Sequence, residues 1–198
     1  MLSKLTIKEF LEKIALESPT PGGGSVAALS ASLAASLTEM VANLTIEKKG
    51  YGDVEEEMKV VAQDAFQLRS KLVSAIDKDS NAYNDVVTAT KLPGDTEAEK
   101  RYREEMIQRS LKQATLDAIR VMELAGKTVA KGNKNTISDG AVGIMVARTA
   151  VLSALYNVKI NLRAIKDKAF IDKISKQVKE LEQSALQKEK ELLSNINL

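Results

Sequence analysis

Apolar side chains recur along this chain at intervals of three and four residues, the spacing of one helix face, with polar residues between them. Thr6-x-x-Glu9 has the form of a capping box and opens a short first helix with Ile7, Phe10, Leu11 and Ile14 on one side, expected to stop near Ser18, before Pro19. A second helix is predicted from about Ser25 to about Thr45, in a stretch with no charge between Glu17 and Glu39. The third starts at Asp53-x-x-Glu56 and carries Met58, Val61, Ala65, Leu68, Leu72, Ala75 and Ile76 at helical spacing, with nothing to stop it before Pro93. Roughly 38 residues would make a rod on the order of 57 Å, so the pattern allows a kink or break near Asp77 to Asn84. Thr96-x-x-Glu99 opens a fourth helix that runs to Lys131 and a C-capping Gly132. A fifth, capped by Ser138 or Asp139, reaches about Arg163. The sixth, from about Lys168, places Ile171, Ile174, Val178, Leu181, Ala185, Lys188 and Leu192 along one packing seam. No run of alternating β-branched residues suggests a sheet. The prediction is one all-α domain over 1–198, an elongated antiparallel bundle of about six helices with short loops.

Composition narrows the chemistry. The 198 residues include 29 Lys+Arg, 27 Asp+Glu and no Cys, His or Trp. Thiolate nucleophiles, disulfides, imidazole bases and His- or Cys-held metals are therefore excluded, leaving carboxylates, Lys, Tyr, backbone amides or a cofactor. A net charge of +2 with interspersed signs gives no nucleic-acid footprint. The N-terminal stretch carries Lys4, Lys8, Glu9, Glu12 and Lys13 and does not read as a secretion signal, so a cytoplasmic location is expected. The uncharged second helix is read as a core or interface helix and not as a membrane span, because Ser25 to Thr38 holds only Val26, Leu29, Leu33 and Leu37 as large apolar residues among Ala and Ser.

Four segments are candidates for chemistry. In Pro19-Thr20-Pro21-Gly22-Gly23-Gly24-Ser25 the glycines allow close backbone approach to a ligand at a helix N-terminus, or else form a turn with Ser25 as N-cap. Asp79, Tyr83 and Val86 share a helix face, and an Asp looking into a partly apolar cleft has the raised pKa that proton transfer near neutrality requires; most helical Asp residues are simply solvated. Asp139, Gly143, Ala147, Ala150, Ala154, Asn157 and Asn161 form one stripe of small and polar groups. It suits either neighbouring helices or an amide-like heterocycle in a cavity left by the small side chains. Lys48-Lys49-Gly50-Tyr51 is a basic turn suited to an anionic tail or to solvent, and Lys131 to Asn135, with Asn133, reads the same way.

Together the ordered pieces PTPGGGSVAAL (19–29), EMVANLT (39–45), KKGY (48–51), KDSNAY (78–83), KLP (91–93), GNKN (132–135), SD (138–139) and NVKINL (157–162) resemble the formiminotransferase-cyclodeaminase C-terminal family, also called cyclodeaminase/cyclohydrolase. The resemblance implies an all-helical homodimer that binds a tetrahydrofolate derivative or its polyglutamylated form, with no metal or further cofactor and no nucleic-acid or membrane partner. It implies one of two reactions. One closes 5-formimino-tetrahydrofolate to 5,10-methenyl-tetrahydrofolate with loss of ammonia; the other, the alternative here, interconverts the methenyl compound and 10-formyl-tetrahydrofolate. SDGAVG (138–143) looks like cyclohydrolase-type members, GNKN and NVKINL like cyclodeaminases, and the sequence reading leans to the cyclodeaminase. A binding module without turnover is the reading from a different class. By position in the motif Asp79 resembles the catalytic acid, with Asp77 as the alternative. Gly22, Gly23, Gly24, Ser25, Tyr83, Asn133, Asp139, Asn157 and Asn161 are assigned to substrate, and Lys48 and Lys49 to its glutamate carboxylates. ATLDAIRV (114–121) departs from the family in lacking a Val-Pro turn, so the helix break there is expected to be missing.

Overall fold

The uncharged stretch becomes the centre of the molecule. In the computed structural model, which describes residues 1–18, 20–90, 96–111, 115–163, 165–194 and 196 (backbone alone at 79–90, 98, 99, 102, 103, 106, 109 and 110), the described residues form helices joined by turns and contain no strand. The helices are α1 (Ile7–Ile14), α2 (Gly23–Asn43), α3 (Glu55–Thr90), α4 (Glu97–Ser110), α5 (Leu116–Lys131), α6 (Ile137–Leu162) and α7 (Lys168–Ser194). α2 packs against α3, α5 and α6, and α7 covers α6 and α5. Ala31, Ala34 and Ala35 of α2 meet Val121, Met122 and Ala125 of α5 and Ile144, Ala147 and Val151 of α6 in the main core. Small side chains let these backbones approach closely: a Cβ added at Gly143 would lie 3.7 Å from the Ala34 carbonyl oxygen.

The hydroxyls along the rest of α2, beyond Ser25, cost little to bury because they find backbone acceptors three or four residues back. Ser32 donates to the Leu29 carbonyl, Ser36 to Ser32, Thr38 to Ala34 and Thr45 to Val41. Both α2 and α6 are long and apolar enough to cross a membrane by composition, yet about half of each such stretch is buried inside the bundle.

Charged residues on the α3 and α5 surfaces fix their antiparallel register. Glu57, Asp64 and Lys71 stand seven apart on α3, and they pair with Lys131 at 2.6 Å, Arg120 at 3.1 Å and Asp117 at 2.8 Å. The sign reverses at the last rung, so a slip of two turns would set Asp64 against Asp117. Each exposed pair contributes only about 0–1 kcal/mol, which makes the ladder a device for register more than for stability.

Several boundaries differ from the sequence expectation. The capping box is present, with the Thr6 amide donating to Glu9 and the Glu9 amide to Thr6, but of the apolar side of α1 only Phe10 is buried; Ile7 and Leu11 are exposed. α2 is capped by Gly22 and not Ser25, because the Ser25 hydroxyl instead donates to the Ile76 carbonyl of α3. Asp53 lies in a 3-10 turn before α3, which then runs 36 residues, about 54 Å, as one helix through 77–84. Of the helix expected over 96–131, the described residues form α4 and α5, with wide π-type turns at the buried Leu111 and Thr115; residues 112–114 between them lie outside the described residues. α6 starts before Ser138, since a 3-10 turn at Lys134–Thr136, pinned by the Asn133 side chain, leads straight into it.

The N-terminus is tied back onto α3. Ser3 donates its hydroxyl (2.5 Å) and its amide (3.3 Å) to Asp77. Burial pushes the Asp77 carboxyl up, but the bonds from Ser3 and from the Leu2 amide outweigh it, leaving the group below its ordinary value of 3.8. A lowered folded pKa means stabilisation that is complete above the unfolded value and lost as pH falls through the folded one. The thermal midpoint of the wild type is therefore expected to drop more steeply below about pH 3.8 than that of Asp77→Asn, measured by circular dichroism across pH 5 to 2.

Candidate active site

The sequence candidates fall at two ends of the bundle. At one end, the N-terminus of α2 opens at Gly22 without a side-chain cap. Gly23 is exposed, and a Cβ there would meet nothing within 4 Å. The first amides of a helix lack intrahelical partners and carry its positive end, so this opening suits a carbonyl or anionic oxygen. Ser25, fully buried, ties the opening to α3 through the Ile76 carbonyl at 3.2 Å. The α3 backbone reaches Asp79 three residues later and Tyr83 one turn beyond. Both side chains lie outside the described residues, as do Pro19 and the KLP segment. Asp77, the alternative acid, has its carboxylate engaged by Ser3.

α6 runs antiparallel to α2, as two contacts show: Gly143 lies beside Ala34 and Leu37, and Asn133, just before α6, bonds to Leu44. Continuing that register brings the start of α2 level with about 154–157 of α6, the level of Asn157, which is half-buried; Asn161, one turn on, is exposed. Neither has to satisfy a fully buried amide. The middle of the small-residue stripe, Gly143 to Ala154, is buried against α2 and α5, so helices and not a ligand occupy it.

At the other end the two loops of the bundle are latched together. The Asn133 amide donates to the Thr45 hydroxyl at 2.9 Å, and its side chain donates to the Leu44 carbonyl at 3.1 Å and accepts from the Asn135 amide. The Lys134 amide donates to the Tyr51 hydroxyl at 3.0 Å. Asn133 is thus buried and committed to holding the loops, and the latch gathers Lys48, Lys49 and Lys134 at one end, with the half-buried Asp139 on the first turn of α6. Asp139 and Asn157 are separated by about 27 Å of helix, so one protomer cannot place both on the same ring system.

The sequence reading did not single out a third feature. Glu39 pairs with Arg69 through two bonds, 2.7 and 3.3 Å, and Arg69 also lies over the Phe66 ring. With Ser36, Met40, Asn43 and Leu44 they line a shallow depression of about 450 Å³ on the α2–α3 surface. The available signal was Glu39 itself, the first charge to follow the long neutral run.

Residues 6–180 match the family model described as formiminotransferase-cyclodeaminase. A methenyltetrahydrofolate cyclohydrolase of Methylorubrum extorquens is 40% identical over 92% of this chain and 89% of its own length. The formimidoyltransferase-cyclodeaminase of Gallus gallus is 36% identical over 90% of this chain, which spans only 34% of that protein. The crystal structure of formiminotetrahydrofolate cyclodeaminase from Thermotoga maritima superposes with a TM-score of 0.82 at 33% identity, covering 98% of each chain. The helical order, the glycine-headed α2 beside the Asp79 turn and these likenesses agree: the chain belongs to the formiminotransferase-cyclodeaminase family.

Proposed function

We propose that the protein is a cytoplasmic enzyme acting on the one-carbon bridge between N5 and N10 of tetrahydrofolate, and that its reaction is the cyclohydrolysis of 5,10-methenyl-tetrahydrofolate to 10-formyl-tetrahydrofolate. The observation that carries this choice is the likeness to the Methylorubrum cyclohydrolase along nearly the full length of both chains. Asp79 takes a proton from the attacking water as oxygen bonds to the methenyl carbon, giving a neutral hydroxylated adduct; it returns that proton to N5 as the carbon–N5 bond breaks, the hydroxyl proton is released to solvent as the carbonyl forms, and the formyl group stays on N10. The backbone amides at Gly22 to Gly24 are assigned to a pterin oxygen, and Asn157 and Asn161 to the polar edge of the same ring. A metal ion has no task in this scheme, and neither has a cofactor beyond the substrate.

Cyclodeamination is the second reading, favoured by the likeness to the Thermotoga structure over nearly all of both chains. Asp79 would then take the N10 proton as N10 attacks the carbon of the protonated formimino group, and return it to the departing nitrogen, which leaves as ammonia while the methenyl cation forms. The near-ultraviolet absorbance of the methenyl compound separates the readings. Decay faster than spontaneous hydrolysis, from the methenyl compound, is expected; a rise from 5-formimino-tetrahydrofolate instead establishes cyclodeamination, and no change in either direction leaves a binding module.

We further propose a homodimer. Leu33 and Met40 of α2, Leu44 at its C-cap, and Val142, Met145, Tyr156 and Ile160 of α6 are all exposed on this pair of adjacent helices, a surface a second copy would cover. Antiparallel pairing would set the Lys48–Lys49 end of one protomer against the Gly22–Ser25 end of its partner, joining glutamate and pterin subsites that one chain holds apart. Sedimentation is expected to give a dimer for the wild type and a folded monomer for Leu33→Glu combined with Met145→Glu.

A further inference from the structure

The N-terminal residues do more than cap the bundle. Leu2 and Leu5 pack with Phe10 of α1, Ala28 and Leu29 of α2, and Ala75 and Ile76 of α3, so the chain start is docked across the α2–α3 groove one turn before Asp79. Between those two leucines, in the 3-10 turn Leu2–Lys4, Ser3 places both its hydroxyl and its amide on the Asp77 carboxylate. On the other flank the Ser25 hydroxyl holds the Ile76 carbonyl. Adjacent residues of one turn of α3 are thus gripped from two elements, one through the backbone and one through a side chain. The apolar contacts suffice to dock the chain start. They do not fix its rotation or axial position against α3, whereas two donors on one carboxylate do.

We propose that Ser3 is a positioning residue which, by clamping Asp77, sets the placement of the α3 turn that leads into Asp79. This rests on Asp79 acting as the proton-transfer group. Misplacement of a reacting group by about 1 Å can cost on the order of 10²-fold in rate, whereas binding energy spread over a pterin and a glutamate tail changes little.

The test compares wild type, Ser3→Ala and Ser3→Thr by steady-state kinetics with whichever tetrahydrofolate derivative the wild type turns over, and by amide hydrogen exchange. Ser3→Ala is expected to lower kcat about tenfold with KM unchanged. Ser3→Thr, which keeps the hydroxyl, is expected to restore kcat. Amides of 76–82 are expected to exchange about tenfold faster in Ser3→Ala, while those of α5 and α6 keep their wild-type rates. A wild-type kcat in Ser3→Ala, or a Ser3→Thr as slow as Ser3→Ala, overturns the positioning role. A loss of protection spread through the whole bundle assigns Ser3 to general stability and overturns it too. Exchange at 76–82 unaltered by Ser3→Ala overturns the clamp itself. Wild-type turnover of neither derivative overturns the reaction on which the role depends, so the two failures are told apart.

Discussion

Asp79→Asn is expected to lower kcat by about 10³-fold, with the far-ultraviolet circular dichroism and thermal midpoint of the wild type. Asn keeps the shape and loses the ability to accept and return a proton. The reaction needs proton movement at N10 or at water, and this chain has no His or Cys to supply it. The matching Asp77→Asn variant is expected to stay within about tenfold of wild type, because that carboxylate is engaged by Ser3 and an amide oxygen still accepts from it. Stopped-flow absorbance of the methenyl compound measures both. A loss smaller than tenfold in Asp79→Asn removes it from the proton-transfer role; severe loss in Asp77→Asn alone would transfer that role to Asp77.

Gly132→Ala is expected to destabilise the fold by about 3 kcal/mol, lowering the thermal midpoint by on the order of 6–12 °C for a chain of this size. The added Cβ would stand 2.4 Å from the Thr128 carbonyl oxygen and 3.2 Å from the Thr45 hydroxyl. The first is helix backbone at the end of α5 and the second is the acceptor for the Asn133 amide, so the clash and the broken latch fall on the same spot. Gly126→Ala is the control. There the Cβ would meet Leu192 Cδ2 at 2.5 Å, the far end of a side chain on α7 that can rotate away, and the cost is expected to stay below about 1.5 kcal/mol. Equal midpoints for the two variants would show that the loops around Gly132 yield as readily as Leu192.

The two results bear on different parts of the molecule. Asp79 stands where the α3 turn meets the open start of α2, while Gly132 belongs to the latch at the opposite end. Lys48 and Lys49, assigned to the glutamate tail, depend on that latch for their position. Gly132→Ala is therefore expected to affect KM for polyglutamylated substrate more than kcat where the variant still folds.

Helix type and order were legible in the amino-acid sequence because periodicity is local. The three-and-four spacing gives α3, α6 and the start of α7 to within a few residues, although α1 stops at Ile14 and not near Ser18; Thr6-x-x-Glu9 gives a real capping box, and the absence of His and Cys limits the chemistry before any fold is known. The family was legible too, since its motifs keep their order along the chain. Use of a side chain was not legible where it depends on a residue distant in sequence. Ser25 reads as an N-cap until Ile76 is seen beside it, Asp77 reads as a spare acid until Ser3 is found 74 positions away, and Asn133 reads as a ligand residue until its bonds to Leu44 and Thr45 are counted. The stripe on α6 shows the same division. Its spacing fixes which groups share a face, but only the docking of α2 fills the middle and leaves Asp139 and Asn157 about 27 Å apart, because a helix face specifies direction while the neighbour that meets it is set by the packing of the whole bundle.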